Sequence, residues 1–472
     1  MLTYIIAIPA FWAAYLAMTY SPQRAFLTAY IPILFLLPDY YYWVLPVLPD
    51  PSFNQAVLMA IFGVWLMRGR PHWKSSPTDL LVWGYCISTT YSEYSNAGFD
   101  EALNLGFDAV ASILVPYIMA KALIEPCGLR FEFAKSVVWS LFIISILSVY
   151  QFFSGAPETL WQIILAPFFP GQGWQWVTSF RWGLARVSGP YGHAILAGII
   201  MVVGYRIQRW LHWSGAWKER IKWIAWIPLK TETVLSIGLF AGAFMTLVRG
   251  PLIGGVFGAI IVMIGRSKQR WLILYLTIAA VIIIGIPFMN WFIGYASVGR
   301  EAAATESQET IAYRWELIGT YINDGMARMW FGWGRNGWPR NPYQPSIDNF
   351  YLLLFLMHGL VSIIFLLTII LGMMLRLFIH DMLRPVAEPK GSALGFTLMG
   401  LYIVFGWSIA TVYMGEQTIP LLFLLVGWSE GYLMYSKQEH LLYPEQFGGK
   451  EKSLENNTPS SPSRFKFKRY LE

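Results

Sequence analysis

The chain has 472 residues, 56% of them hydrophobic and only 13% charged, with a mean hydropathy of +0.48. Soluble domains carry about 25% charged residues, so a soluble globular protein is excluded. The net charge of +7 gathers in short Lys/Arg loops between apolar runs, which is the signature of membrane topology and not of a nucleic-acid surface.

Lipid offers the backbone no hydrogen-bond partner, so the apolar runs are expected as helices. In chain order they fall at 2–19, 25–47, 54–67, 79–91, 101–120, 134–154, 189–205, 231–248, 251–265, 271–293, 349–375, 394–412 and 418–435. The first has no basic stretch before it and no small-residue cleavage pattern after it, so it is expected to be retained. The second is interrupted by Pro38 and Pro46 and reads as re-entrant or interfacial, leaving roughly 12 crossings. Cys86 and Cys127 fall in or beside apolar runs and suggest neither a disulfide framework nor a metal site. Residues 206–230 mix Trp with Lys and Arg and read as an interfacial amphipathic segment. The polar, basic and Ser/Pro-rich stretch 436–472 reads as a disordered tail. No internal repeat of the transporter kind is visible. The expected architecture is all-α and polytopic: one transmembrane domain over 1–435, with one large loop at 294–348 containing short helices.

The Lys/Arg-rich loops Arg68–Ser76, Lys121–Lys135, Arg206–Lys230, Arg266–Arg270 and Arg376–Lys390 are separated by even numbers of crossings, so all can share the cytoplasmic side. The large loop then faces outward and the C-terminus lies in the cytoplasm. That outward loop nevertheless holds Arg300, Arg314, Arg328, Arg335 and Arg340. Guanidinium on the side that usually lacks positive charge points to an anionic ligand.

Charged groups at the edge of membrane segments default to a functional reading. Arg186 precedes an apolar run, Arg249 sits in the turn Thr246-Leu-Val-Arg-Gly-Pro251, and Arg314 lies in Tyr313-Arg-Trp-Glu-Leu317. Each alone can be a snorkelling side chain. Three at one level suit a phosphate or diphosphate, whose oxygens match the planar guanidinium fork. Asp348 opens the next helix; it is either an N-cap, with Ser346 competing, or a base toward a substrate hydroxyl, with Asn349 orienting that substrate. His358 lies three turns deeper and reads as a packed core histidine. Trp315, Trp333 and Tyr351 are candidates to contact sugar, although an interface belt explains such aromatics as well.

Arg186-Val-Ser-Gly-Pro-Tyr-Gly-His193, Thr246-Leu-Val-Arg-Gly-Pro251, Tyr313-Arg-Trp-Glu-Leu317 with Phe331-Gly-Trp-Gly334, and Asp348-Asn-Phe-Tyr-Leu352 occur in an order that resembles the O-antigen ligase and polysaccharide polymerase superfamily of bacterial inner-membrane glycosyltransferases. The resemblance implies a GT-C-like fold and a metal-independent transfer without cofactor. It implies a glycan taken from an undecaprenyl-diphosphate carrier at the outer face of the cytoplasmic membrane. Arg186, Arg249 and Arg314 match the arginines implicated in holding the diphosphate. Ligases place His where this chain has Asp348, which favours the polymerase-like branch, with exopolysaccharide or O-antigen as product. The implied partners are the carrier-linked glycan, an acceptor glycan or lipid-linked repeat, membrane lipid, and polysaccharide-export or chain-length-control proteins. A ligase acting on a lipid A core, a transporter or flippase of lipid-linked or anionic solute, and a noncatalytic scaffold are the competing readings.

Overall fold

The computed structural model describes residues 2–46, 49–156, 158–173, 178–218, 229–344, 346–384, 394–415 and 417–438. Most of the expected tail and residues 219–228 of the expected amphipathic segment lie outside the described residues. The elements in chain order are α1 (Thr3–Thr19), α2 (22–36), α3 (Phe53–Met67), α4 (Pro77–Ala97), α5 (Phe99–Leu123), α6 (Arg130–Ser154), α7 (Leu160–Leu165), β1 (Phe180–Arg181), β2 (Leu184–Ala185), α8 (Ala194–Trp213), α9 (Thr231–Met245), α10 (Arg249–Arg266), α11 (Arg270–Ala296), α12 (Glu306–Ala327), α13 (Phe350–Met382), α14 (Leu394–Ile409) and α15 (Thr418–Tyr435). Six of these, α5, α6, α8, α10, α11 and α13, are long and apolar enough to cross a bilayer. The protein is an all-α polytopic membrane protein, with one two-residue-per-strand hairpin as its strand structure among the described residues.

Local chemistry sets the helix starts. Ser52 and Gln55 form a capping box on α3, and Ser76 and Asp79 do so on α4, where Pro77 fills the first helical position. The second apolar run becomes helix only to Leu36; beyond it the chain is irregular up to Ser52.

Two ends of the bundle differ in chemistry. At one end ion pairs gather: Lys121 Nζ to Asp79 Oδ1 (2.6 Å) links α5 to α4, Arg130 Nη2 to Glu125 Oε2 (2.8 Å) closes the buried α5–α6 turn, and Arg376 Nη1 to Glu430 Oε2 (2.6 Å) links α13 to α15. The loops that hold the described lysines come together there, with Lys74 over the Tyr435 ring, Lys121 over Trp73 and Lys135 over Trp217. At the other end, the irregular 37–52 stretch, the α4–α5 turn, the hairpin, the α9–α10 turn, the 297–349 loop and the 410–417 turn hydrogen-bond to one another. Among the described residues, its Lys/Arg side chains are arginines alone.

The Phe331-Gly-Trp-Gly334 run has a packing role. Inside α13, Gly359 leaves helical geometry at φ +74. The opened turn pairs with the 329–333 segment through Leu360 N to Met329 O (2.7 Å) and Trp333 N to Leu356 O (2.8 Å). Gly332, at φ +65, lies so close to Leu356 and Met357 that a Cβ has no room, and a Cβ on Gly359 would run into Trp330 O. Ser92 Oγ closes the junction on Phe331 O and Met357 O. The loop is therefore locked to the deep part of α13, and buried His358 packs there with Nδ1 against Ser92 Oγ at 3.2 Å.

Candidate functional site

Three separate stretches carry arginines to one place, and each is bolted to the next. The hairpin β1–β2 pairs Phe180 with Ala185 and Arg181 with Leu184. Its two-residue turn, Trp182-Gly183, has positive φ at both positions (+55 and +76), as a tight hairpin turn that follows strand twist requires. Arg181 Nη1 donates to Leu247 O (2.6 Å), and Val187 N donates to Met245 O (3.2 Å). Thus the hairpin satisfies carbonyls that the end of α9 leaves without helical partners. Leu247 takes φ +51 to make the turn, and Arg249 then becomes the first residue of α10.

Arg249 reaches in two directions. Its guanidinium lies 5.6 Å from the centre of the Trp182 ring on the hairpin. Its Nη1 donates to Ser307 Oγ (3.2 Å) in the first turn of α12, the loop helix that bears Arg314. Thr305 caps that helix by accepting from Gln308 N (3.2 Å). Glu316 holds the loop on both sides of it, accepting from Arg300 N (3.0 Å) and Gln344 Nε2 (3.4 Å). Tyr313 Oη donates to Ser346 O (2.6 Å) and Tyr321 Oη to Gln344 O (2.8 Å), so the stretch leading to Asp348 lies along α12.

The electrostatics identify the cluster. Burial first, then the charges of Arg181 and Arg314, pull the Arg186 guanidinium down to about 10. Arg181 is lowered by burial, by Arg249 and by Arg314, with Glu306 opposing. Arg181 therefore lies in the field of Arg249 and Arg314, and Arg186 in that of Arg181 and Arg314. Arg186 Nε and Arg314 Nε are both buried without a partner. Like charges held together with unused donors are stabilised by an anion placed among them.

Asp348 is the carboxylate beside this cluster. Its Oδ2 is 3.9 Å from Arg314 Nη2, and its Oδ1 accepts from Ser346 Oγ (2.9 Å). The cap of α13 is Asn349, whose Oδ1 accepts from Leu352 N (3.2 Å). Capping therefore does not occupy Asp348, and its side chain is 37% exposed instead of buried. Asn349 in turn has its carbonyl oxygen committed to the helix. His193 caps α8, its Nδ1 accepting from Ile195 N (3.2 Å), so the neutral ring carries its proton on Nε2. Burial, then Arg186, holds this imidazole down to about 4, with Asp348 pulling the other way.

The remaining candidates separate. Trp315 is exposed beside Arg314 on α12. Trp333 packs with Leu317, Tyr321 and Leu356, donates to Asp324 O (2.8 Å) and lies under Arg328. Tyr351 packs on the core and donates to Gly406 O (3.1 Å) on α14. Neither of these two joins the arginines. Arg335 bonds Asp108 (3.4 Å) and Arg328 bonds Asn96, fixing the loop to α4 and α5. Arg181 and His193 were not singled out from sequence. His193 closes a quoted motif, and Arg181 is marked only by lying five residues before Arg186.

A family model described as O-Antigen ligase matches residues 234–367, a little over a quarter of the chain. Over that segment the resemblance to the O-antigen ligase and polymerase superfamily holds. The match takes in Arg249, Arg314, Asp348 and Asn349 and leaves Arg181, Arg186 and His193 outside it. No curated protein matches the chain.

Proposed function

We propose that this protein is a glycosyltransferase of the bacterial cytoplasmic membrane that polymerises undecaprenyl-diphosphate-linked oligosaccharide at the outer face. The observation that carries the reading is the convergence of Arg181, Arg186, Arg249 and Arg314, with Asp348 beside them. The arginine end faces outward in this reading because every described lysine belongs to the opposite end. The C-terminus is then cytoplasmic, with roughly 12 crossings in a GT-C-like arrangement.

The chemistry follows from charge. The acceptor hydroxyl oxygen attacks the anomeric carbon of the donor sugar while the bond from that carbon to the phosphate oxygen breaks. The bonding electron pair departs on the diphosphate, and the hydroxyl proton passes to Asp348. Attack opposite the leaving group inverts the anomeric centre. Negative charge grows on the diphosphate in the transition state, so guanidinium groups already fixed around it favour that state over the ground state. Arginine supplies this charge without a metal. Asp348 starts as a carboxylate positioned by Ser346 and Arg314, and a hydroxyl approaching it also approaches the cluster.

The test is turnover of a defined undecaprenyl-diphosphate oligosaccharide by purified protein, with and without a chelator. Polymer forms in both conditions, and Asp348→Asn lowers the rate by about 10²–10⁴-fold while the protein still binds donor. Chelator sensitivity, or a fully active Asp348→Asn, refutes the reading. The description attached to the matching family favours a second reading, transfer to a lipid A core or other acceptor. Supplying both acceptor types decides between them.

A further inference from the structure

A cavity of ≈ 150 Å³ lies beside the arginine cluster, and the arginines do not fill it. The hydroxyl-bearing residues Tyr40, Thr159, Thr178, Ser179 and Ser188 line it. Gln162 and His193 add an amide and an imidazole, and Arg186 forms the wall shared with the cluster. No carboxylate and no branched aliphatic side chain lines it among the described residues. A cation finds no counter-charge here, and the apolar part of the wall comes from Tyr40, Ala194 and two glycines and not from the branched side chains that would line a prenyl groove. A neutral ring with hydroxyls on its edge and carbon on its face fits this mixed wall.

The cavity is built, not left over. Buried Gln151 holds its back wall: its Oε1 accepts from Ser188 N (3.3 Å) and Gly189 N (3.2 Å), and its Nε2 donates to Thr178 Oγ1 (3.4 Å) and Ser188 Oγ (3.5 Å). Thr159 and Gln162 belong to a reciprocal cap on α7, with Thr159 N donating to Gln162 Oε1 at 2.7 Å. The volume corresponds to about five waters of bulk liquid, which suits one sugar ring and not a chain of them.

We propose that this cavity is the subsite for the first sugar of the donor, the pyranose bonded directly to the diphosphate. The inference rests on the reading of the arginines as a diphosphate site. A sugar one bond from a phosphate held by Arg186 must lie against Arg186, and the polar space there is this cavity. His193, on the same lining, also lies in the field of Asp348. The cavity then selects donors by the hydroxyl pattern of their first sugar, independently of the rest of the glycan.

The experiment compares two ligands on the purified full chain in lipid nanodiscs: undecaprenyl diphosphate, and the same carrier bearing one sugar. Wild type binds the sugar-bearing carrier at least tenfold more tightly. Ser179→Trp, which fills the cavity from its exposed rim and removes the hydroxyl 3.5 Å from Arg186 Nη1, still binds undecaprenyl diphosphate, more weakly than wild type, and loses the sugar-dependent gain. Should Ser179→Trp bind neither ligand while wild type binds both, the milder Thr178→Val decides; it is expected to lose about threefold or more of that gain. Equal affinity of wild type for the two ligands, or an undiminished gain in a variant that still binds undecaprenyl diphosphate, overturns the subsite and leaves the arginine site standing. Failure of wild type to bind either ligand instead overturns the diphosphate reading beneath it.

Discussion

Arg186 is the most informative residue to remove, because its loss should make the empty protein more stable and the enzyme inactive. Its guanidinium is held at about 10, against an ordinary 12.5, by burial and by Arg181 and Arg314. The unfolded chain therefore binds this proton more tightly than the folded one. The charge costs folding free energy in full below the folded value, and the cost vanishes as pH rises through 10 toward 12.5. At about 1.4 kcal/mol per tenfold, the ceiling is about 3 kcal/mol. Solvent reaches part of the side chain, so screening brings the expected gain in Arg186→Gln at neutral pH to about 1–2 kcal/mol, a rise of roughly 2–6 °C in Tm. Pyrophosphate reverses the ranking: at a hundred times its Kd it stabilises wild type by about 2.7 kcal/mol, and it stabilises the variant far less. Thermal unfolding in detergent, with and without pyrophosphate, reads both effects. A variant that melts below wild type and is stabilised equally by pyrophosphate refutes the idea that these arginines are held against their own repulsion for an anion.

Arg181→Ala removes a cluster member that also bonds Leu247 O, and turnover should fall by about 10²-fold, with Arg181→Lys recovering part of it; polymer assays read both. His193→Asn keeps a cap on α8 and removes a ring held at about 4. Between pH 6.5 and 4 the unfolded wild type takes up a proton that the folded protein refuses, so wild type loses stability across that window by about 1–2 kcal/mol more than the variant; melting at pH 7 and pH 5 measures it. Gly332→Ala places a Cβ against the α13 backbone at a left-handed position and should cost about 1–3 kcal/mol, seen as lower Tm and poorer yield.

The helices were legible because lipid forces an apolar run to satisfy its own backbone, and each expected run contains a helix. The exception within a run is instructive: 25–47 is helix only to Leu36, where Pro38 and the Tyr40, Tyr41, Phe53 and Phe169 cluster take over. The arginines at 186, 249 and 314 were legible through the cost of charge at a membrane edge. Arg181 was not, because the hairpin that aims it pairs only four residues and turns through Trp182 at φ +55, a conformation no propensity favours for tryptophan. The break at Gly359 was hidden for a related reason. No proline marks it, and the strained turn exists because the 329–333 segment docks on it.

Local signals offered the cap of α13 to Asp348 or Ser346 and left a base as the alternative for Asp348, whereas Asn349 takes the cap. Asp348, Ser346 and Asn349 all have side chains able to cap, and sequence cannot rank them when tertiary contacts compete. Asn349 takes the cap, which frees Asp348 to face Arg314 and Ser346. Among the described residues, the end that gathers arginine holds no lysine. A lysine's compact ammonium can settle on a single carboxylate, whereas a guanidinium bonds Leu247 O or Ser307 with one nitrogen and has further donors beside it. The arginines bolt the hairpin, the α9–α10 turn and α12 together, and in the proposed function they also serve as donors to the diphosphate. A variant such as Arg249→Lys should separate the two roles. One donor on Ser307 survives and the fold with it, while planar recognition of a diphosphate is lost, so Tm should stay within about 1–2 °C of wild type as donor affinity falls about tenfold. Loss of Tm in step with affinity would instead make Arg249 a structural bolt alone.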